Sequence, residues 1–356
     1  MKSFYRYFIA LFLLGLIMLP TQENLAGNKD RSGQAGAGEL LINPWARSSG
    51  WGSVSVSGIR GLESMYVNVA GLAFTKNTEI GFTHTQWLKG SGIDMYSFGF
   101  AQKMGESGAL GLSVMSMAFG DIQITTPGQP DGGIGDFSPN YLNVNIAYSR
   151  IFSNSIYGGI NFKIISESIS DMSAQGLAID AGIQYVTGEM ENIKFGITLK
   201  NVGPTMKFSG DGLSLRVIPD EQTTAFTLEQ RKEDFEMPAQ LLIGAGYDFL
   251  FEGNSRLTLA GNFTSNSFSK DQFTGGIEFS LKEYLMIRGA YTYEEGIDQS
   301  IDNPESRTNA FKGISAGFTV QVPMNKERGT NFSISYSFRA MDAFDNTHSI
   351  GAFITL

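Results

Sequence analysis

The second half of this chain is a series of segments about ten residues long in which apolar and polar side chains alternate. Ile314, Ala316, Phe318, Val320 and Val322 interleave with Ser315, Gly317, Thr319 and Gln321. Phe332, Ile334, Tyr336 and Phe338 interleave with Ser333, Ser335, Ser337 and Arg339. Successive side chains on a strand point to opposite faces, so each segment has one greasy face and one wet face. About ten residues of tilted strand also cross the hydrocarbon layer of a bilayer. Repeated many times, this is the pattern of an all-β, transmembrane antiparallel barrel of the bacterial outer membrane.

The N-terminus supports export. Lys2 and Arg6 precede an apolar run from Phe8 to Leu19, followed by Pro20 and a polar stretch ending at Ala26. Residues 1–26 therefore read as a signal peptide, too short for a spanning helix. The chain has no Cys, which excludes disulfide staples, thiol chemistry and a lipoprotein anchor. A net charge of -9 with no basic run argues against nucleic acid as a partner.

From Thr78 onward fourteen strands are expected, beginning near Thr78, Asp94, Ala109, Tyr141, Ile156, Gly176, Ile193, Ala239, Arg256, Asp271, Tyr284, Lys312, Asn331 and Thr347. Every second connection is short, as at Gly105–Gly108, Ser153–Ser155, Glu252–Asn254 and Lys282–Glu283, with Pro323–Gly329 somewhat longer. The remaining connections vary and include long ones near Gly120–Asn140, Asn201–Pro238 and Glu294–Phe311. Short turns at one end and long loops at the other are the periplasmic and extracellular ends of such barrels, with an even strand count placing both termini in the periplasm.

Within the strands, Leu142, Ile146, Tyr148, Ile160, Phe162, Phe273, Ile277 and Ile287 are assigned to the lipid. Asn143, Asn145, Asn161, Lys163, Glu278, Arg288, Gln321 and Arg339 are assigned to the lumen, because an Arg or Lys facing lipid at mid-bilayer costs about 2–4 kcal/mol. Fourteen strands enclose more space than wall side chains fill. Residues 27–77, which carry Trp45, Trp51, Leu62, Met65, Tyr66 and Leu72, are the expected hatch or plug, ahead of a barrel over 78–356. Gly81, Gly111 and Gly275 mark strand positions for a kink or a close backbone approach.

Residues 57–73 (SGIRGLESMYVNVAGLA) resemble the N-terminal signature of FadL-like outer-membrane proteins, in which a short helix leads into an Asn-Pro-Ala-Gly-Leu-Ala turn before the first strand. Asn68, Ala70, Gly71 and Leu72 match that turn, and Val69 replaces its Pro. Within this superfamily the chain is most similar to the PorV/PorQ family of Bacteroidota, on residues 135–141 (GDFSPNY), 155–161 (SIYGGIN) and 199–204 (LKNVGP). The resemblance implies a fourteen-stranded outer-membrane barrel of the type IX secretion system. Such a protein binds secreted cargo through the cargo's C-terminal sorting domain, or partners with translocon subunits. By position, the longest loops are the candidate docking surfaces, through Asp136, Phe137, Pro139, Met206, Phe208, Leu213, Leu215 and Val217.

Chemistry is scarce. Two histidines, His84 and His348, stand in no metal-ligand spacing, and His84 is placed at the rim or in the lumen. The acidic, Gly-rich run Asp131–Asp136 lacks the ligand spacing of an EF-hand and reads as a solvated turn. The expectation is a binding protein with no enzymatic activity, no metal and no cofactor. The alternative is a FadL-like channel for hydrophobic small molecules, which requires an apolar, ligand-sized pocket between hatch and wall.

Overall fold

A computed structural model describes residues 29–218, 224–299, 309–325, 329–342 and 344–356. The signal peptide read at residues 1–26 lies outside the described residues. Among the described residues no helix is long and apolar enough to cross a membrane, and the crossing elements are strands. Fourteen of them form the wall. These are β1 (Thr78–Trp87), β2 (Ile93–Met104), β3 (Gly108–Ala118), β4 (Asn140–Ile151), β5 (Ile156–Ile169), β6 (Met172–Thr187) and β7 (Ile193–Val202). The second seven are β8 (Gln240–Phe251), β9 (Ser255–Asn266), β10 (Gln272–Leu281), β11 (Leu285–Glu294), β12 (Phe311–Asn325), β13 (Thr330–Met341) and β14 (Thr347–Thr355).

Each strand pairs antiparallel with its sequence neighbours, and β1 pairs with β14, from Glu79↔Thr355 to Gln86↔His348. The wall is therefore a closed barrel. Closure matters in lipid because each unpaired backbone group there costs several kcal/mol. The strand starts fall within one residue of the sequence expectation everywhere except β6, which begins at Met172 rather than Gly176. Its extra residues hold a tight turn with β5 at 170–171, paired Ile169↔Met172, so one connection at the loop end is as short as any turn.

The alternation sets the faces. Leu142, Ile146, Tyr148, Ile160, Phe162, Phe273, Ile277 and Ile287 are exposed on the outer wall, while Asn143, Asn145, Asn161, Lys163, Glu278 and Arg288 are buried inside it. His84 stands on the outer face in register with Ile350 and Tyr96, both exposed, rather than in the lumen. It stacks on the Tyr96 ring and bonds Asp94 at 2.8 Å near the loop end.

The lumen is filled from the N-terminal side. Residues 29–77 form a chain of short helical turns, including Ala46–Ser49, Ser64–Val67 and the 3-10 helix Val69–Phe74. Trp45, Leu62, Met65 and Leu72 are all buried, against Ala101, Ala109 and Ala147 of the wall. The path has a direction. Arg31 bonds Glu236 at 2.6 Å and Gly36 donates to the Glu236 carbonyl, both at the long-loop end. Asn77, at the other extreme, accepts from Lys103 beside the short turns. The first described residues thus sit at the loop end and Leu356 at the turn end, where its N–H bonds Thr78. The expectation of both ends on the turn side does not describe residues 29–36, because the hatch runs the length of the lumen before β1 begins.

Candidate functional site

The turn motif fastens the hatch to the wall. Asn68 caps the helix Val69–Phe74 by accepting from the Ala70 N–H, and donates to the carbonyls of Val56 (2.9 Å) and Ile183 (3.1 Å). Its side chain thus satisfies one hatch carbonyl and one β6 carbonyl at once, with Val69 rather than Pro at the next position. Gly71 presses on the Ile59 carbonyl and Gly182 of β6 on the Asn68 side chain, leaving no room for a Cβ at either. Leu72 and Met65 lie over Gly111, while Leu62 and Phe353 cover Gly81, so both glycines are close approaches rather than kinks. Gly275 meets nothing within 4 Å and faces outward.

Lys163 sits behind the hatch. Its Nζ bonds Asp180 at 2.7 Å and Asn201 at 2.6 Å, while Asp180 also accepts from the Asn201 N–H at 2.7 Å. Asn201 takes a left-handed backbone (φ 59), and the β6–β7 register shifts between Ile179 and Ala181. The LKNVGP segment is therefore a bulge whose freed groups are met by Asp180. Opposite, Glu278 of β10 accepts from Arg288 at 2.8 Å and lies near Arg256 (3.4 Å) and Arg47 of the hatch (3.9 Å). Glu63 accepts from the Ser48 N–H at 2.9 Å, and burial pushes its carboxyl above the usual range.

Two larger cavities lie on the β7–β14 side. One of about 470 Å³ opens at the turn end between Arg47, Arg60, Glu63, Glu79, Arg256 and Glu278. A second, of about 80 Å³, lies on the loop side of the hatch against Tyr66, Lys200, Gln240, Asn262, Gln272 and Arg339. On the β2–β5 side the space shrinks to about 20 Å³.

The long loops behave differently from one another. In residues 203–239, Met206 pairs with Phe235 and is 1% exposed, packed with Leu40, Met95, Met117, Tyr141 and Met237, and with Phe208 and Phe235 against that cluster. Phe208–Ser209 adds to the free edge of β6 above the bulge. Met206 and half-buried Phe208 are thus a stopper in the barrel mouth rather than an open docking surface, because the loop folds back across the lumen. Leu213 is half-buried, but Ser214–Val217 pairs only with Phe226–Glu229, as a ribbon clear of the wall. Leu215 pairs Leu228 and Val217 pairs Phe226, which puts all four on one face, 48%, 54%, 36% and 46% exposed. The other face carries Ser214, Arg216, Thr227 and Glu229. In the loop 119–139, Asp136–Phe137 pairs with Ile122–Gln123, with Asp136 exposed and Phe137 and Pro139 half-buried.

Phe226, Leu228 and Asp180 had no place in the sequence reading, which met Lys200 and Asn201 only as members of the LKNVGP segment and the loop that follows it. Strand alternation around Ile197 and Leu199 would have turned Lys200 inward, but the ribbon partners lie beyond any local pattern.

Among solved structures, the toluene transporter TodX of Pseudomonas putida shares the fold at TM-score 0.51 and 12% identity, over 88% of this chain and 97% of that one. The monoaromatic hydrocarbon channel CymD matches at TM-score 0.50 and 12% identity, over 93% and 97%. A Pseudomonas aeruginosa FadL homologue gives TM-score 0.47 at 10% identity over 86% and 96%, too loose to carry an argument. At these identities the likeness shows the fold alone. No curated protein matches the chain. The family model for the type IX secretion system membrane protein PorP/SprF matches residues 132–352, from the loop before β4 into β14. With more than half its length inside that match, the chain belongs to the PorP/SprF family of type IX secretion system membrane proteins.

Proposed function

We propose that the chain is a non-enzymatic outer-membrane component of type IX secretion that docks partner proteins at its loop end. The partners are exported cargo carrying a C-terminal sorting domain, the role implied by the PorV/PorQ likeness, or translocon subunits. The loops then face outward from the cell and the turns face the periplasm. The observation that carries this reading is the ribbon 214–217/226–229, whose Leu215, Val217, Phe226 and Leu228 form an apolar face exposed among the described residues. An apolar face held clear of the wall marks an interaction site, and a β-ribbon offers an edge for strand addition as well.

The hydrocarbon-channel reading draws on the fold shared with CymD and TodX. Against it stand the continuous pairing of all fourteen wall strands and the charged linings of the two larger lumen cavities. The test is an affinity pull-down from solubilised outer membranes, with the tag in the loop 119–139, comparing the parent with Leu215→Asp/Leu228→Asp. Recovery by the parent alone of exported proteins sharing one C-terminal domain, or of secretion subunits, is the expected result. A barrel recovered alone with an apolar small molecule bound would sink the docking reading and raise the channel.

A further inference from the structure

The loop-side cavity is lined by two basic side chains for which no carboxylate partner is found among the described residues. Lys200 is 2% exposed, yet no carboxylate among the described residues lies within ion-pair distance of it. Its nearest acid, Asp180, is taken by Lys163 at 2.7 Å and by the Asn201 N–H. Lys200 Nζ lies 3.6 Å over the Tyr66 ring instead. Arg339, from β13 on the far wall, places its guanidinium 3.6 Å over the Phe311 ring and has no described ion pair. Both line the same cavity of about 80 Å³.

The rest of the lining is neutral and rich in hydrogen-bonding groups: Gln240, Asn262, Thr264, Gln272 and Thr274. An aromatic face offsets only part of the cost of taking a cation out of water, and a buried charge left unpaired is strongly unfavourable. Cavities of this size are wet when polar, with room for several waters or one small polyatomic ion. Arg supplies a planar fork for oxygen pairs, and Lys supplies a mobile point charge.

We infer that this cavity is a binding site for a small oxyanion of phosphate or carboxylate chemistry, held between Lys200, Arg339 and the neutral amides and hydroxyls around them. Leu41, Leu242, Ile297 and Ile314 supply the apolar part of the lining, and the two basic groups and the amides set its preference for an anion. Because Lys200 belongs to β7, Arg339 to β13 and Tyr66 to the hatch, an anion there would tie three separate parts of the lumen together. The inference is independent of the docking role, and either can fail without the other.

The test is isothermal titration of the full chain in detergent micelles at fixed ionic strength, with inorganic phosphate in one arm, acetate in a second and chloride as the blank. Saturable one-to-one binding of phosphate or acetate tighter than about 1 mM is expected. Whichever arm binds tighter identifies the chemistry. Lys200→Met and Arg339→Met should each weaken it by about tenfold or more, the scale of one hydrogen bond to a charged group. Lys200→Arg and Arg339→Lys keep the charge and should retain binding, which separates loss of the site from loss of the fold. Heat-modifiable gel mobility checks that every variant is a closed barrel. Absence of saturable binding by folded parent protein, or binding that survives in both Met variants, would overturn the proposal.

Discussion

The two sides of the lumen are held together in different ways. Along β2–β6 the hatch lies directly on the wall: Met65 and Leu72 over Gly111, Asn68 on Gly182, and Leu40 beneath the Met206 stopper. Along β8–β13 the hatch also touches the wall, with Gly50 against Gly317 and Trp51 against Gly276, but cavities of about 80 and 470 Å³ and the charges around Glu278 interrupt those contacts. One side depends on close packing, which is intolerant of added volume. The other depends on charges that must all be answered. The hatch therefore meets a continuously packed wall on one side and a wall interrupted by cavities and charges on the other.

The largest effect should come from the charged side. Glu278→Ala leaves Arg288 buried without its carboxylate, and a loss of about 3–5 kcal/mol is expected in a urea titration followed by tryptophan fluorescence. A change under about 1 kcal/mol would mean that water, not Glu278, answers Arg288. Met206→Ala probes the packed side by opening a void in the mouth cluster, with about 2–5 kcal/mol expected from the same titration. A near-neutral result there would show that the stopper is a loose lid.

Glycine pairs sharpen the contrast. Gly196 of β7 abuts the backbone of Val56 and Ser57, so Gly196→Ala should cost about 1–3 kcal/mol. Gly275→Ala, facing lipid with open space, should stay within about 0.5 kcal/mol. Equal costs would erase the distinction between positions that bear the hatch and positions that face lipid.

The smallest effect concerns Glu63. Burial raises its folded-state pKa above the ordinary 4.5, so the folded chain holds the proton more tightly than the unfolded chain. Stability from this group is full below the ordinary value and declines as pH rises through the raised one. Glu63→Gln retains an acceptor for the Ser48 N–H and removes the penalty. Its melting midpoint should therefore gain on the parent as pH rises above the ordinary carboxyl value. A difference that stays constant with pH would show that Glu63 does not change its protonation in the folded protein.

The barrel was legible because strand alternation is a local signal and the lipid enforces it on every wall strand. Lys163, Glu278, Arg288 and Arg339 could be turned inward from their neighbours alone. The site was less so. Met206 and Phe208 look like exposed loop hydrophobes until Phe235, far along the same loop, is seen to pair back on them. Leu215 and Val217 acquire a common face only through Leu228 and Phe226 across a segment no period links. The partnering of Lys163 with Asp180 and Asn201, which leaves Lys200 over, depends on a bulge that alternation cannot express.

The route of residues 29–77 also constrains assembly. The segment before β1 starts among the loops, beside Glu236 and Phe268, and crosses the whole lumen before joining β1 at the turns. Once β1 and β14 have zipped together, Trp45 and the rest of this segment can reach their places only by passing lengthwise up the lumen. A wall that shuts around a thread already in place avoids that passage, in the manner of a ring cast on a cord. The same geometry makes withdrawal one-way: traction from the turn side pulls residues 29–42 inward through the ring, whereas traction from the loop side tightens the strand junction at Thr78.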